Sequence, residues 1–138
     1  MYEAKQMIIM RRDLKMRKGK IAAQSGHACV EAVLKALQKE NRFDQLVDED
    51  GYMTLNTEDV TPLTQWFQKG VAKVCVYVDS EEELLALHKK AVELGYLDAL
   101  IQDAGYTEFH GVPTYTCMAL EPLYIDDANK ITGDLPLY

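Results

Sequence analysis

Three side chains in this chain of 138 residues have the type and setting for acid–base or anion chemistry: Lys20, Asp103 and His27. Lys20 closes the run Lys15-Met16-Arg17-Lys18-Gly19-Lys20, which leads from an apolar stretch into a helical pattern. Lys15, Lys18 and Lys20 therefore lie near a helix start, where free N–H groups and the helix dipole also favour an anion. Phosphate or a carboxylate is the natural guest. Asp103 follows an apolar segment and precedes Ala104-Gly105. A carboxylate there either reaches into a cleft or simply closes a turn. His27 lies within the helical pattern, as a packed side chain or as a member of the site. Other chemistries find less support. Ser25 lacks the glycine pattern of a nucleophile elbow. His27, His88 and His110 have no metal-ligand spacing with each other or with the cysteines. Gly19-Lys20 is not a P-loop, because Leu14 stands where that motif needs glycine and Ile21 where it needs Ser or Thr. The tyrosines read mostly as core or strand residues, which leaves no visible platform for stacking bases.

The elements that must hold these side chains follow from hydrophobic periodicity. Residues 7–12 begin with an unbroken apolar run, as in a central strand covered on both faces. Residues 20–39 repeat apolar positions at spacings of three and four, so Ala22, Cys29, Val30, Val33, Leu34 and Leu37 are predicted to form one buried helix face. Residues 41–60 are acidic, with a turn at Asp50-Gly51 and a short strand at 52–55. Thr61-Pro62 opens a short helix that stops near Gly70. Residues 72–78 form a second strand. Ser80 and Glu83 are predicted to make a capping box for a helix that ends at Gly95. Residues 99–102 and 113–120 complete the strands, and a short helix at 126–131 ends at Gly133. Strands alternating with helices imply an α/β sheet with helices on both faces. Ligands on such sheets bind beyond the carboxyl ends of the strands. That rule directs attention to the loops at 13–20 and 103–113.

Hydrophobic residues make up 48% and charged residues 27%, which marks a globular chain able to bury a core without a disulfide or metal staple. The three cysteines, Cys29, Cys75 and Cys117, are far apart in apolar stretches and fit a reducing compartment. The apolar run Met7 to Met10 is too short for a signal peptide or a membrane span, so a cytoplasmic protein without a membrane association is expected. The net charge of −7 opposes general coating of nucleic acid. The charge is uneven, however. Residues 1–42 hold ten basic and four acidic side chains, whereas the remainder holds five basic and eighteen acidic ones. A basic patch on an acidic body can bind one polyanion at one place.

Three blocks of sequence resemble the signatures of the peptidyl-tRNA hydrolase 2 family. One is Arg12-Asp13-Leu14-Lys15-Met16-Arg17-Lys18-Gly19-Lys20-Ile21-Ala22-Ala23-Gln24, followed by His27-Ala28. Another is Leu100-Ile101-Gln102-Asp103-Ala104-Gly105, followed by Thr107. The last is Asn129-Lys130-Ile131-Thr132-Gly133, then Leu135-Pro136-Leu137-Tyr138. The likeness spans nearly the whole chain apart from about residues 43–60, which read as an acidic insert. It implies one domain over 1–138, a three-layer α/β/α fold with a mixed four-stranded sheet, and often a homodimer. It also implies cleavage of the ester between a peptide and the 3′ end of a tRNA, without metal or organic cofactor. Lys20 and Asp103 match the family's essential lysine and aspartate. Thr116 matches an essential threonine of the fourth strand when one extra residue is allowed in the preceding loop. His27 matches a histidine close to that site, and Gln24 and Thr107 match neighbouring polar positions.

The resemblance implies roles for these residues. The ester is activated, so a water positioned or deprotonated by Asp103 suffices. Lys20 would stabilise the oxyanion or the departing ribose oxygen and keep Asp103 ionised. Thr116 would position the water or the ester oxygen. Lys15, Arg17 and Lys18 would neutralise phosphates of the acceptor end. The chain departs from the family pattern at Tyr106, where arginine is usual, and in residues 109–114 and 117–122. Two further readings follow from those departures: a hydrolase of another acyl ester, and a non-catalytic module that binds an anion or RNA. An open cleft on which Lys20, Asp103 and Thr116 converge separates the enzyme readings from the last.

Overall fold

The computed structural model describes residues 1–47 and 54–138. Its elements in chain order are β1 (Ala4–Arg11), α1 (Lys18–Lys39), β2 (Leu46–Val47), β3 (Thr54–Leu55), α2 (Pro62–Gln68), β4 (Lys73–Val78), α3 (Glu81–Glu93), β5 (Asp98–Asp103), β6 (Thr114–Leu120), β7 (Leu123–Tyr124) and α4 (Ile125–Thr132). The main sheet runs β4-β1-β6-β5, with β7 also paired to β1. β1 and β4 are parallel, whereas β6 is antiparallel to β1 and to β5. The sheet is thus mixed, as expected, and has five strands rather than four. The addition is β7, a two-residue strand too short to leave a period in the sequence. β2 and β3 form a separate two-stranded pair. The turn expected at Asp50-Gly51 and the first half of the strand expected at 52–55 lie outside the described residues.

The apolar run of β1 is split between two cores. Met7 and Ile9 face α3 and α4, together with Val76, Val78, Met118 and Leu120. Ile8 and Met10 face α1, together with Ala99, Ile101, Cys117 and Ala119. Alternate side chains of a strand point to opposite faces, so a strand covered on both sides must be apolar throughout. Three layers result: α1 with α2, the sheet, and α3 with α4.

The buried face of α1 differs from the expected one. Ala28, Ala32 and Ala36 lie against the sheet with Cys29 and Leu37, while Val30 is 60% exposed and Leu34 48%. Alanines at every fourth position let the helix approach the strands closely, and the larger apolar residues are pushed to its flank. The cap of α3 also differs. The Ser80 hydroxyl accepts the Glu83 N–H at 3.1 Å, but the Glu83 carboxylate takes the Asp79 N–H at 2.8 Å rather than that of Ser80. The reciprocal box occurs at α2 instead, where Thr61 and Thr64 exchange side chain and backbone hydrogen bonds.

Candidate active site

Lys20 and Asp103 meet at the edge of the sheet formed by the carboxyl ends of β1 and β5. Asp103 is the last residue of β5, and alternation places it on the α1 face with Ala99 and Ile101. Lys20 is the third residue of α1. Its Nζ donates to Asp103 Oδ1 at 2.6 Å and to Thr107 Oγ1 at 3.0 Å. The two charged side chains are 16% and 12% exposed, so the pair is largely but not wholly shielded from solvent. Asp103 Oδ2 accepts the Gly105 N–H at 2.9 Å. The Lys20 hydrogen bond, aided by that backbone N–H, holds the Asp103 carboxyl below the ordinary carboxylate range against the opposing effect of burial.

Local structure explains why the charges meet here. The first turn of α1 carries no acidic residue, and its N-cap Arg17 has no side-chain cap. A helix start with basic residues favours an anion nearby, and Asp103 meets the Lys20 side chain there. The loop after β1 is fixed from beneath. Arg11, 9% exposed, grips Asp13 with two nitrogens at 3.2 and 2.7 Å and donates to the Tyr115 carbonyl at 3.0 Å. Arg17 Nε lies 3.8 Å from Glu108 Oε1 and links this loop to the one after β5. Neither Arg11 nor Glu108 stands out in the sequence. Arg11 reaches Tyr115, 104 residues on, and Glu108 meets Arg17, 91 residues back, links that no spacing could have revealed.

Thr116 is buried between β6 and α1. The register of β5 and β6 pairs Ile101 with Cys117 but Gln102 with Tyr115, which makes Thr116 the additional residue of a β-bulge. Regular alternation would send Thr116 to the face of Met118 and Leu120. The bulge instead turns it toward α1, where its hydroxyl donates to Gln24 Oε1. Cys117 faces the same way, and its thiol donates to the Gln24 carbonyl. Gln24 follows Lys20 by one helical turn and shares its side of α1. Thr116 is fully buried and Gln24 is 8% exposed. Gln24 Nε2 makes no hydrogen bond among the described residues. Burial pushes the Cys117 thiol up to about 12, so it is no nucleophile at neutral pH.

The remaining predicted residues lie at the rim or beyond it. Lys15, Arg17, Lys18 and Thr107 are exposed around the pair. Lys15 adopts the left-handed backbone conformation, with φ 52°, where the chain turns toward α1. His27 is exposed and shares a flank of α1 with Gly26, Val30, Glu31 and Leu34; it joins no hydrogen bond of the Lys20–Asp103 cluster. Lys20, Asp103 and Thr107 are thus brought together, the buried Gln24 and Thr116 pair with each other without a hydrogen bond to them, and His27 stands outside. Tyr106 is 90% exposed, and it lies in the chain between Asp103 and Thr107. Among the described residues, no group of three His, Cys, Asp or Glu side chains is arranged to hold a metal.

The family model described as peptidyl-tRNA hydrolase PTH2 matches residues 4–138. The chain belongs to that family. A peptidyl-tRNA hydrolase from Thermococcus sibiricus is 37% identical over 139 residues, covering 99% of each chain. One from Sulfurisphaera tokodaii is 39% identical, covering 96% of this chain and 97% of its own. A probable peptidyl-tRNA hydrolase 2 from Drosophila melanogaster is 35% identical over 96% of this chain and 61% of its own. A solved structure of a protein of unknown function from Agrobacterium tumefaciens strain C58 superposes over the full chain with a TM-score of 0.56 at 14% identity, a likeness of fold alone. In this PTH2 chain Tyr106 directly follows Asp103-Ala104-Gly105 and is 90% exposed.

Proposed function

We propose that this chain hydrolyses the ester bond between a peptide, or an N-blocked amino acid, and the 3′ end of a tRNA, and that the Lys20–Asp103 pair carries the reaction. The observation that supports this reading most directly is the 2.6 Å contact between an ammonium and a carboxylate at a partly open sheet edge, in a chain of the peptidyl-tRNA hydrolase 2 family.

A carboxylate held below its ordinary range is a weak base, so Asp103 first orients a water. It takes the proton late, as the water oxygen bonds to the ester carbon and that proton becomes acidic. Lys20 uses two of its three donors on Asp103 and Thr107. The third points charge at the oxyanion of the tetrahedral intermediate. Gln24 adds an Nε2 donor to the same oxygen, because Thr116 fixes the other end of its amide. As the intermediate collapses, the carbon–oxygen bond to the ribose breaks and the proton on Asp103 passes to the departing 3′ oxygen. The products are a free tRNA and a peptide carboxylate.

Thr116 therefore acts through Gln24 rather than on the substrate. Lys15, Arg17 and Lys18 bind acceptor-end phosphates at the rim. His27 has no step in this scheme. The cytoplasm, where Cys29, Cys75 and Cys117 stay reduced, is the compartment that the reading implies. The homodimer implied by the family resemblance belongs to the same reading and is read by analytical ultracentrifugation.

Release of free tRNA from an N-acetylated aminoacyl-tRNA tests the proposal. Wild-type protein should turn over, and Asp103→Asn should lose roughly 10²- to 10⁴-fold in kcat while remaining folded. Absence of turnover by folded wild type would refute the assignment. Equal turnover by Asp103→Asn would remove the carboxylate from the mechanism.

A further inference from the structure

We infer that Tyr106 is a stacking platform for the 3′-terminal base of the substrate, a contact that rests on the proposed reading of the site as a peptidyl-tRNA ester hydrolase. Tyr106 is 90% exposed, while the next most exposed aromatic side chain among the described residues, Phe43, is 50% exposed. A single exposed aromatic residue is ordinary on a protein surface. What sets Tyr106 apart is the fixed backbone on both sides of it. The Gly105 N–H donates to Asp103 Oδ2 at 2.9 Å, and the Gly105 carbonyl accepts the Gly111 N–H at 2.8 Å. Gly105 has φ +88° and is pressed so close to the next strand of the loop that a Cβ would meet the Val112 carbonyl oxygen at 2.3 Å. On the other side, the Thr107 hydroxyl accepts from Lys20 at 3.0 Å. The residues before and after Tyr106 are thus tied to the two charged groups of the site, each with its Cα about 3.8 Å from that of Tyr106. The backbone that carries the ring is anchored by the same bonds that arrange the pair.

The substrate has a matching part. Its reacting ester sits on the ribose of the terminal nucleotide, so the base of that nucleotide lies one sugar away from the bond that breaks. With the ester at Lys20 and Asp103, the base must leave the cleft near its rim. Tyr106 offers a π-face there, and the exposed Lys15 and Lys18, one on the loop before α1 and one its first residue, lie close in the chain to Lys20. A π-face beside cations is the arrangement that binds single-stranded nucleic acid: bases on the aromatic ring, phosphates on the charges. Stacking does not depend on which peptide or tRNA body is attached, so Tyr106 gives a grip common to every substrate with the same terminal base.

The test compares two esters of the same N-acetyl amino acid, one carried by tRNA and one by a small alcohol without a base. Tyr106→Ala should lower the ratio of kcat/KM values, tRNA ester over base-free ester, by roughly 5- to 100-fold, mostly through KM. Tyr106→Phe should restore the ratio, because stacking needs the ring and not the hydroxyl. An unchanged ratio in Tyr106→Ala would overturn the inference and leave the hydrolase assignment standing. If wild type cleaves neither ester, the assignment itself fails. Proton NMR with the trinucleotide CCA then decides about Tyr106 independently. Ring-current shifts of the terminal adenine, present in wild type and absent in Tyr106→Ala, would sustain the platform; their absence in wild type would overturn it.

Discussion

Asp103 is where local chemistry becomes a pH dependence. Its carboxyl is held low first by the Lys20 hydrogen bond and then by the Gly105 N–H, with partial burial acting the other way. A carboxyl whose pKa is depressed in the folded state adds stability above its unfolded pKa, and that stability is lost as pH falls through the folded value. Activity should therefore persist to an acid limb below the ordinary carboxylate range. Carboxyl-carbon NMR should show Asp103 titrating below an exposed aspartate, and Lys20→Met should move that titration upward. A titration unchanged by Lys20→Met would mean that the hydrogen bond is not its cause. At this scale much of the site was legible in the sequence. Lys20 and Asp103 stand out because one opens a helix after a basic loop and the other ends a strand before Ala-Gly, and the sheet rule sends both to the same edge. The fixed position of His27 on an exposed flank was not legible, because a helical pattern gives the spacing of residues but not which neighbours cover them.

The β-bulge is the element that makes the site more than an ion pair. By placing Thr116 on the α1 face, it lets one buried hydroxyl fix the Gln24 amide a turn below Lys20. Thr116→Val keeps the volume but leaves Gln24 Oε1 without its donor in a nearly closed space. Urea denaturation should show a loss of about 1–3 kcal/mol. Turnover should fall as well, because the amide is free to rotate, and Thr116→Ser should retain both properties. A valine variant with wild-type turnover would mean that Gln24 needs no orienting group. The bulge explains why Thr116 emerged only through family resemblance, with one extra residue allowed before it. A bulge adds one residue to one strand and leaves no mark in hydrophobic period, since Thr114 to Leu120 still reads as a strand. The misassigned face of α1 has a related cause. Periodicity weighted Val30 and Leu34 above Ala28, Ala32 and Ala36, but close approach of helix to sheet favours small side chains.

Across the whole molecule, most basic residues of the segment 1–42 are already paired with acidic ones, some within the segment and some on the acidic remainder. Arg11 pairs with Asp13, Arg12 with Asp79, Lys20 with Asp103, Lys35 with Glu31, Lys39 with Glu121, and Arg42 with Glu40 and Asp59. Arg12 also stacks over Tyr77 at 3.8 Å. Of the basic residues flanking the cleft, Arg17 is loosely paired at 3.8 Å, and Lys15 and Lys18 have no acidic partner among the described residues. The sequence therefore located the basic patch but overstated its strength, since charge counts cannot see which cations the fold has already paired. Only two or three phosphates can be neutralised at the rim. Each contributes a slope of about −0.7 to −0.9 when the logarithm of affinity is plotted against the logarithm of salt concentration. For the tRNA ester, kcat/KM at limiting substrate should follow salt with a slope of about −2, and replacing Lys15 or Lys18 by alanine should each make it shallower by roughly one. A slope near −6 would mean that substrate opens the internal pairs and recruits their cations. Such a slope would make the acidic body a competitor for the basic patch rather than a bystander.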